Sequence, residues 1–239
     1  MIPIGDANPT RRVPLINYLL LATNIALFLY ELSLGERRLE RFIASWGIRS
    51  TEVIALLGGD FGLLRLVLLK SLVSMFLHGG WLHIGGNMLF LWIFGDNVED
   101  NFGSLPYLIF YLLCGFGAVV AQALLTPTAA VPAIGASGAI SGVLAAYLLL
   151  YPGASIRALL PLFIFLTVIH VPAWLMIILW FGTQLLNGLA SITDDAMMTG
   201  GIAYGAHIGG FVVGLVLTGF FRKPQRPPRY VYSARSSRR

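Results

Sequence analysis

Charge is scarce in this sequence. Lys, Arg, Asp and Glu make up 11% of the 239 residues, hydrophobic residues make up 57%, and mean hydropathy is +0.79. A water-soluble domain of this size covers its surface with far more charge. The composition excludes a soluble globular enzyme and predicts a polytopic membrane protein. Cysteine is almost missing as well. Cys114 stands alone in an apolar run, which excludes an internal disulfide and any cysteine-based metal site. It is expected to pack as an ordinary core residue. The opening "MIPIGDANPTRR" lacks the compact signal-peptide pattern and its small-residue cleavage site, so the first apolar run is expected to be retained. Internal repeats are missing too, which takes support from an inverted-repeat transporter.

What is present is a series of apolar runs. A bilayer core is crossed by about 20 such residues. Six runs qualify, at 14–31, 81–95, 105–125, 137–151, 172–190 and 202–221. The expected fold is an all-α polytopic membrane protein, with a bundle of six transmembrane helices over 14–221. An N-terminal segment, 1–13, and a basic tail, 222–239, flank it. The second and fourth runs are short, and short helices at membrane depth line cavities. Gly135 and Gly138 flank the start of the fourth, so a loop dipping into the membrane before Ser137 is expected. The apolar stretch 157–170 is bracketed by Pro161 and Pro172 and is read as interfacial.

An even number of spans puts both termini on one side. Arg11, Arg12 and a tail holding seven of the sixteen basic residues place that side in the cytoplasm, in an inner or plasma membrane. The Pro- and Arg-rich tail has the composition of a disordered segment. No nucleic-acid-binding fold accompanies it, and anionic lipid is the simpler contact. The connection 32–70 is then external. Its four Arg before residue 50 run against the charge rule, and its mixture of charges with spaced apolar residues suggests an amphipathic element at the interface. The acidic segment 95–104 and the turn 151–157 are expected as internal loops, and 191–201 as an external one.

Polar residues inside spans are costly and often functional. His83 and Asn87 lie four apart on one helix face. Ser137 and Ser141 open the fourth span, and His207 lies on the sixth. Asn17, Asn24, Gln122, Gln184 and Asn187 are single amides on other spans. Taken singly, each has a structural explanation. His83 and Asn87 can join helices by hydrogen bonding, His207 can be a satisfied core histidine, and Ser137 can cap its helix. Together they are more telling. Spans two, four and six all begin on the external side, so His83, Asn87, Ser137 and His207 fall at similar depth. Small residues recur every fourth place at Ser137, Ser141 and Ala145 and at Ala206, Gly210 and Gly214, permitting close helix approach. That packing brings Ser137 within reach of His207.

A serine becomes a nucleophile when a neighbouring base takes its proton. A third group, a carboxylate, usually orients the base. All eleven Asp and Glu lie in loops or at span ends, so a Ser–His dyad is expected, with Ser137 both capping its helix and attacking. His83, Asn87 and the Ser137 N–H are then donors to an oxyanion.

Three segments carry a resemblance. "MFLHGGWLHIGGNMLFLWIFGDNVED" (75–100), "GASGAISG" (135–142) and "GIAYGAHIGGFVVG" (201–214) resemble, in order and spacing, the rhomboid intramembrane serine proteases. The resemblance covers 60–222. It implies a six-helix core with Ser137 as nucleophile and His207 as general base. It assigns His83 and Asn87 to the oxyanion hole, Gly135 to the turn before the serine, and a structural or minor role to His78. It implies a substrate too: a single-span membrane protein, cut near the external face where its helix is unwound by helix-breaking and small residues. Lateral access past span five and the 191–201 loop, with "TGG" at 199–201 as hinge, completes the picture. No metal or organic cofactor is implied. The chain lacks the Trp-Arg pair that many members carry before the second helix. Position 141 is Ser where some have an aromatic, and Tyr204 is a possible substitute for packing on His207.

Three other functions compete. A non-catalytic relative that binds membrane helices would be marked by loss of Ser137 or His207. A transporter would need a continuous polar path. A metal site would have to be built from His78, His83 and His207. The sequence sets no oligomeric state.

Overall fold

The apolar runs become helices gathered around a short central one. The computed structural model describes residues 1–162, 165–193 and 203–223. The helices are α1 (Leu15–Ser33), α2 (Glu36–Trp46), α3 (Ser50–Leu57), α4 (Leu64–Ser74), α5 (Trp81–Phe102), α6 (Ser104–Leu125), α7 (Ser137–Leu150), α8 (Ala173–Thr193) and α9 (Tyr204–Phe221). Among the described residues α1, α6 and α9 are long and apolar enough to cross a membrane, and α7 and Ala173–Leu189 are shorter apolar helices. Large apolar side chains such as Leu29, Leu124 and Leu186 face outward, which suits lipid and not water. This is an integral membrane protein.

The central helix is α7. It is apolar on all sides and buried from Gly138 to Tyr147, as a helix surrounded by others must be. Its small residues let α6 and α9 close on it. A β-carbon added to Gly142 would meet Cys114 Sγ at 2.4 Å, and one added to Gly138 would meet the Ala118 methyl at 2.5 Å. Cys114 is thus a packing residue, as its surroundings predicted. A β-carbon on Gly214 would lie 2.5 Å from Gly142 Cα, so α7 and α9 touch backbone to backbone.

Two expectations, one about a span and one about a loop, are overturned. The second span is not short, because α5 runs 22 residues to Phe102. The acidic segment 95–104 is mostly the last turns of that helix and not a loop. Gly103 alone, at φ +88°, separates α5 from α6. The reason lies in Glu99. Its carboxylate accepts N–H groups from Ile16 (3.1 Å) and Asn17 (2.7 Å) at the start of α1, and a hydroxyl from Ser104 (2.6 Å). Helix N-termini present unpaired N–H groups and positive potential, so a buried carboxylate is satisfied there.

The segment 157–170 is neither a helix nor unstructured. β2 (Ser155–Leu162) and β3 (Phe165–Pro172) form an antiparallel hairpin, and β1 (Ile2–Asp6) pairs with β2. Residues 1–13 are therefore a strand and its lead-in, not a loose segment. Val, Ile, Thr and Phe favour the pleated surface, and β2 and β3 are adjacent in sequence, whereas β1 joins from more than a hundred residues away. An open sheet cannot cross lipid, so this stretch is not a seventh span. The sheet is tied to the C-terminal ends of α5 and α7. Tyr147 donates its hydroxyl to Asp6 at 2.5 Å, and Asn97 donates to the Asn8 carbonyl at 2.8 Å. Ser137 is at the other end of α7, about 20 Å away at 1.5 Å per residue.

The connection 32–70 contains α2, α3, a single 3-10 turn at Phe61–Leu63 and the start of α4. None of the α2 residues is buried. Beyond α2 the chain locks onto the site. Ile48 and Ala133 exchange two backbone hydrogen bonds, of 3.2 and 2.8 Å, and the Gly135 N–H donates to Ser74 O at 2.8 Å. Those three bonds fix the approach to Ser137.

Candidate active site

Ser137 is the first residue of α7, and the turn before it is made by Gly135 at φ +123°, a conformation that favours glycine. The residue in the capping position is Ala136, and Ser137 makes no cap bond. The expectation that Ser137 caps its helix is therefore incorrect. Its hydroxyl is engaged elsewhere: Oγ lies 2.7 Å from His207 Nε2. Seventy residues separate the two, and the bare contact of α7 with α9 joins them. His207 sits in the first turn of α9, whose start is held by Gln122. The Gln122 Oε1 accepts the Ala206 N–H at 3.0 Å, while its amide donates to Thr126 Oγ1 at 2.9 Å.

The other nitrogen of His207 is also occupied. Nδ1 lies 2.7 Å from Gln184 Oε1, on α8. The sequence presents this partner only as one amide among several. The Trp180 ring lies 6.0 Å from the imidazole at 35°, and Tyr204 meets it edge-on at 6.3 Å. Aromatic packing on His207 thus comes from Trp180 together with Tyr204. Ser141 turns away and donates to its own helix, at Ser137 O, 2.7 Å.

Across the cleft stand the histidines of α5 and the turn before it. His83 Nδ1 accepts the Gly79 N–H at 3.3 Å, which leaves the proton on Nε2. That Nε2 faces Gly135. A β-carbon there would lie 2.7 Å from His83 Nε2 and 3.7 Å from Ser137 Oγ, so only glycine leaves this space open. One N–H of Asn87 is committed to a neighbouring histidine. Its Nδ2 donates to His78 Nε2 at 2.9 Å, and His78 Nδ1–H points at Phe76 O, 3.3 Å. The His78 and His83 rings meet edge to face at 5.0 Å. Glu31 of α1 accepts the His78 backbone N–H at 3.2 Å. Among the described residues no three His, Cys, Asp or Glu gather as a metal site would require. A cavity of about 40 Å³ opens beside Ser137, with Ser74, Gln122, Gly135 and Ala206 on its walls.

His78 carries a stability signature. Burial, and secondarily His83 nearby, push its pKa from 6.5 down to about 4. Between those values the unfolded chain takes a proton that the fold refuses. The contribution is complete above pH 6.5 and is lost as pH falls toward 4. The loss amounts to about 3 kcal/mol. Thermal unfolding in detergent from pH 7.5 to 4.5 should show it, and His78→Gln should flatten that slope. An unchanged slope in the variant would refute this assignment.

The geometry agrees with a comparison of sequences. The family model of the Rhomboid domain matches residues 65–224. The chain belongs to the rhomboid family. Rhomboid protease GluP of Bacillus subtilis is 33% identical over 217 residues, 88% of this chain and 37% of that protein. Rhomboid protein 1, mitochondrial, of Saccharomyces cerevisiae is 29% identical over 215 residues, 85% of this chain and 52% of that protein. Rhomboid-like protein 11, chloroplastic, of Arabidopsis thaliana is 29% identical over 154 residues, 64% and 52%. This rhomboid chain spans about a third to a half of the length of these relatives. The matched region contains α5 to α9, and with them His78, His83, Asn87, Ser137, Gln184 and His207.

Proposed function

We propose that this chain is an intramembrane serine endopeptidase that cuts membrane-spanning segments of other proteins near the external face. The observation that carries the reading is the 2.7 Å contact between Ser137 Oγ and His207 Nε2, in a ring whose other nitrogen is already engaged. Two relatives bear the name protease or the family name over most of this chain, which supports the same class.

The chemistry follows from the atoms. His207 Nε2 takes the Ser137 proton as Oγ attacks the scissile carbonyl carbon. The carbonyl oxygen becomes an oxyanion. His83 Nε2–H faces the space beside Gly135, and the Ser137 and Gly138 N–H groups precede the bond that opens α7, from the Ile140 N–H to Ala136 O. These are the donors for the oxyanion. The imidazolium then gives its proton to the leaving nitrogen and the C–N bond breaks, leaving an ester on Oγ. Water attacks the ester, His207 takes the water's proton, and the C–O bond breaks as Oγ regains a proton. In this reading Asn87 holds His78 with one N–H, and its second N–H is a further donor to the oxyanion. The 40 Å³ cavity suits a small substrate side chain beside the cut. Nothing in the reading requires a cofactor.

Six helices, α1 and α5 to α9, form the spanning domain in this reading, with both termini in the cytoplasm of a cell membrane and the external segment α2–α4 at the interface. The loop 191–201 with its hinge, and the basic tail from 224 on, lie outside the described residues, apart from 191–193 at the end of α8.

The test is direct. The purified protein in lipid vesicles should cleave a single-span substrate bearing small residues near its outer end. A fluorophosphonate should add covalently to the peptide that contains Ser137. An adduct on another residue would sink the assignment. Binding of the substrate with neither cleavage nor labelling would leave a helix-binding relative in its place.

A further inference from the structure

Gln184 is an amide in an apolar helix. Such a group is costly at membrane depth unless it is hydrogen-bonded, and it commonly marks function. Its own amide is fixed within α8. Nε2 lies 3.4 Å from Trp180 O and 3.2 Å from Thr183 Oγ1, and that hydroxyl donates to Trp180 O at 2.6 Å and so accepts from the amide. This leaves Oε1 to face the imidazole, so the proton shared with it belongs to His207 Nδ1. Nε2 is then the nitrogen with the free lone pair, and it points at Ser137 Oγ. With the other tautomer, Nε2 would present an N–H to Ser137 and could accept nothing.

The helix that carries Gln184 meets α9 along one stripe. Phe181 stacks on Phe211 at 4.1 Å, and Gly188 lets α8 approach Tyr204 and Ile208, where an added β-carbon would sit at 3.3 Å. Gln184 lies between those two contacts. On the opposite face Ile178, Leu179 and Leu186 are more than half exposed. Displacing α8 from α9 would take the acceptor away from His207.

We propose that Gln184 is a positioning residue that holds His207 as the Nδ1–H tautomer, so that the Ser137–His207 pair is competent only while α8 is seated on α9. It rests on the reading of Ser137 and His207 as the reacting pair. No carboxylate is needed, since a neutral amide oxygen can select the tautomer. The ionisable side chains that the imidazole faces are Ser137 on α7, Tyr204 on its own helix and His83 across the cleft.

The experiment compares wild type, Gln184→Leu and Gln184→Glu in lipid vesicles, reading cleavage of a single-span substrate and the rate of fluorophosphonate addition to Ser137. Leucine keeps the bulk and removes the acceptor. It should lower kcat and the addition rate about 10- to 100-fold, with KM within about twofold because no substrate contact is lost. Glutamate still accepts from Nδ1, so activity should return at alkaline pH. Its charge should also favour the imidazolium, moving the acid limb of the kcat–pH profile up by about one unit. Equal rates for wild type and Gln184→Leu would overturn the proposal while leaving the protease reading intact. So would equal losses in both variants with no displaced limb, which would mean a merely structural amide. A wild type that neither cleaves nor labels would overturn both.

Discussion

Ser137→Ala and His207→Ala should each lower cleavage by about 10⁴-fold or more, and the double variant should lose no further activity than the worse single one. The two side chains act as a unit, because a proton that leaves Oγ must arrive at Nε2, 2.7 Å away. Removing either end removes the same step. Single-turnover cleavage of a model substrate in vesicles reads the three rates. Additive losses would mean that the residues act separately and would defeat the dyad. His83→Ala provides the internal scale. In the proposed mechanism it deletes one oxyanion donor and leaves the nucleophile intact, so its cost should be about 10²- to 10³-fold. The Ser137 alanine variant should also fold normally, since Ser137 makes no cap bond whose loss would weaken α7. Loss of activity with an unchanged melting point is therefore the expected pair of results.

The pairing of Ser137 with His207 was legible in the sequence for a physical reason. Small residues at every fourth place on two spans leave backbones free to touch, and that contact fixes which polar groups meet. Gly210, Gly214 and Gly142 carry it in the structure. The Gly135 turn was equally plain, because a positive φ before a helix start calls for glycine. Gln184 was seen but not placed. A lone amide on an apolar span does not reveal which neighbour it faces, and no small-residue stripe of its own sets the rotation of α8. In retrospect Trp180, Gln184 and Gly188 lie four apart on one face, and that is the available signal. The bond from Asn87 to His78 is not legible in the sequence. His78 lies nine residues earlier in a turn whose path the helix period does not describe.

The sheet was illegible for a different reason. β1 meets β2 across 150 residues or more, so nothing local to 157–170 announces the third strand of the sheet. The acidic end of α5 misled in the same way. Charges near a span end usually signal a loop, but Glu99 is buried because α1 offers it two N–H groups. Local sequence reports local preference, and both features are settled by distant partners.

Gly210→Ala should disable the protein, although it is the mildest possible change in a helix. The added methyl would lie 1.9 Å from Gly138 O, well inside contact distance. Relief requires α9 to move away from α7 by about 1 Å, since carbon and oxygen prefer roughly 3.2 Å or more. Overpacking of this kind costs about 1–3 kcal/mol. The larger effect falls on chemistry. The same movement lengthens the contact between His207 and Ser137, and a misplacement of about 1 Å can lower rate about 10²-fold. Gly219→Ala, on the same helix, has nothing within 4 Å and serves as the control. It should keep full activity and gain about 0.5–1 kcal/mol, as glycine-to-alanine changes in open helical positions do. Melting curves and cleavage rates for the two variants make the comparison. If Gly210→Ala were as active as Gly219→Ala, backbone contact between α7 and α9 would not be what sets the Ser137–His207 distance. Loss in the first with retention in the second would tie that distance to the absence of one carbon atom at Gly210.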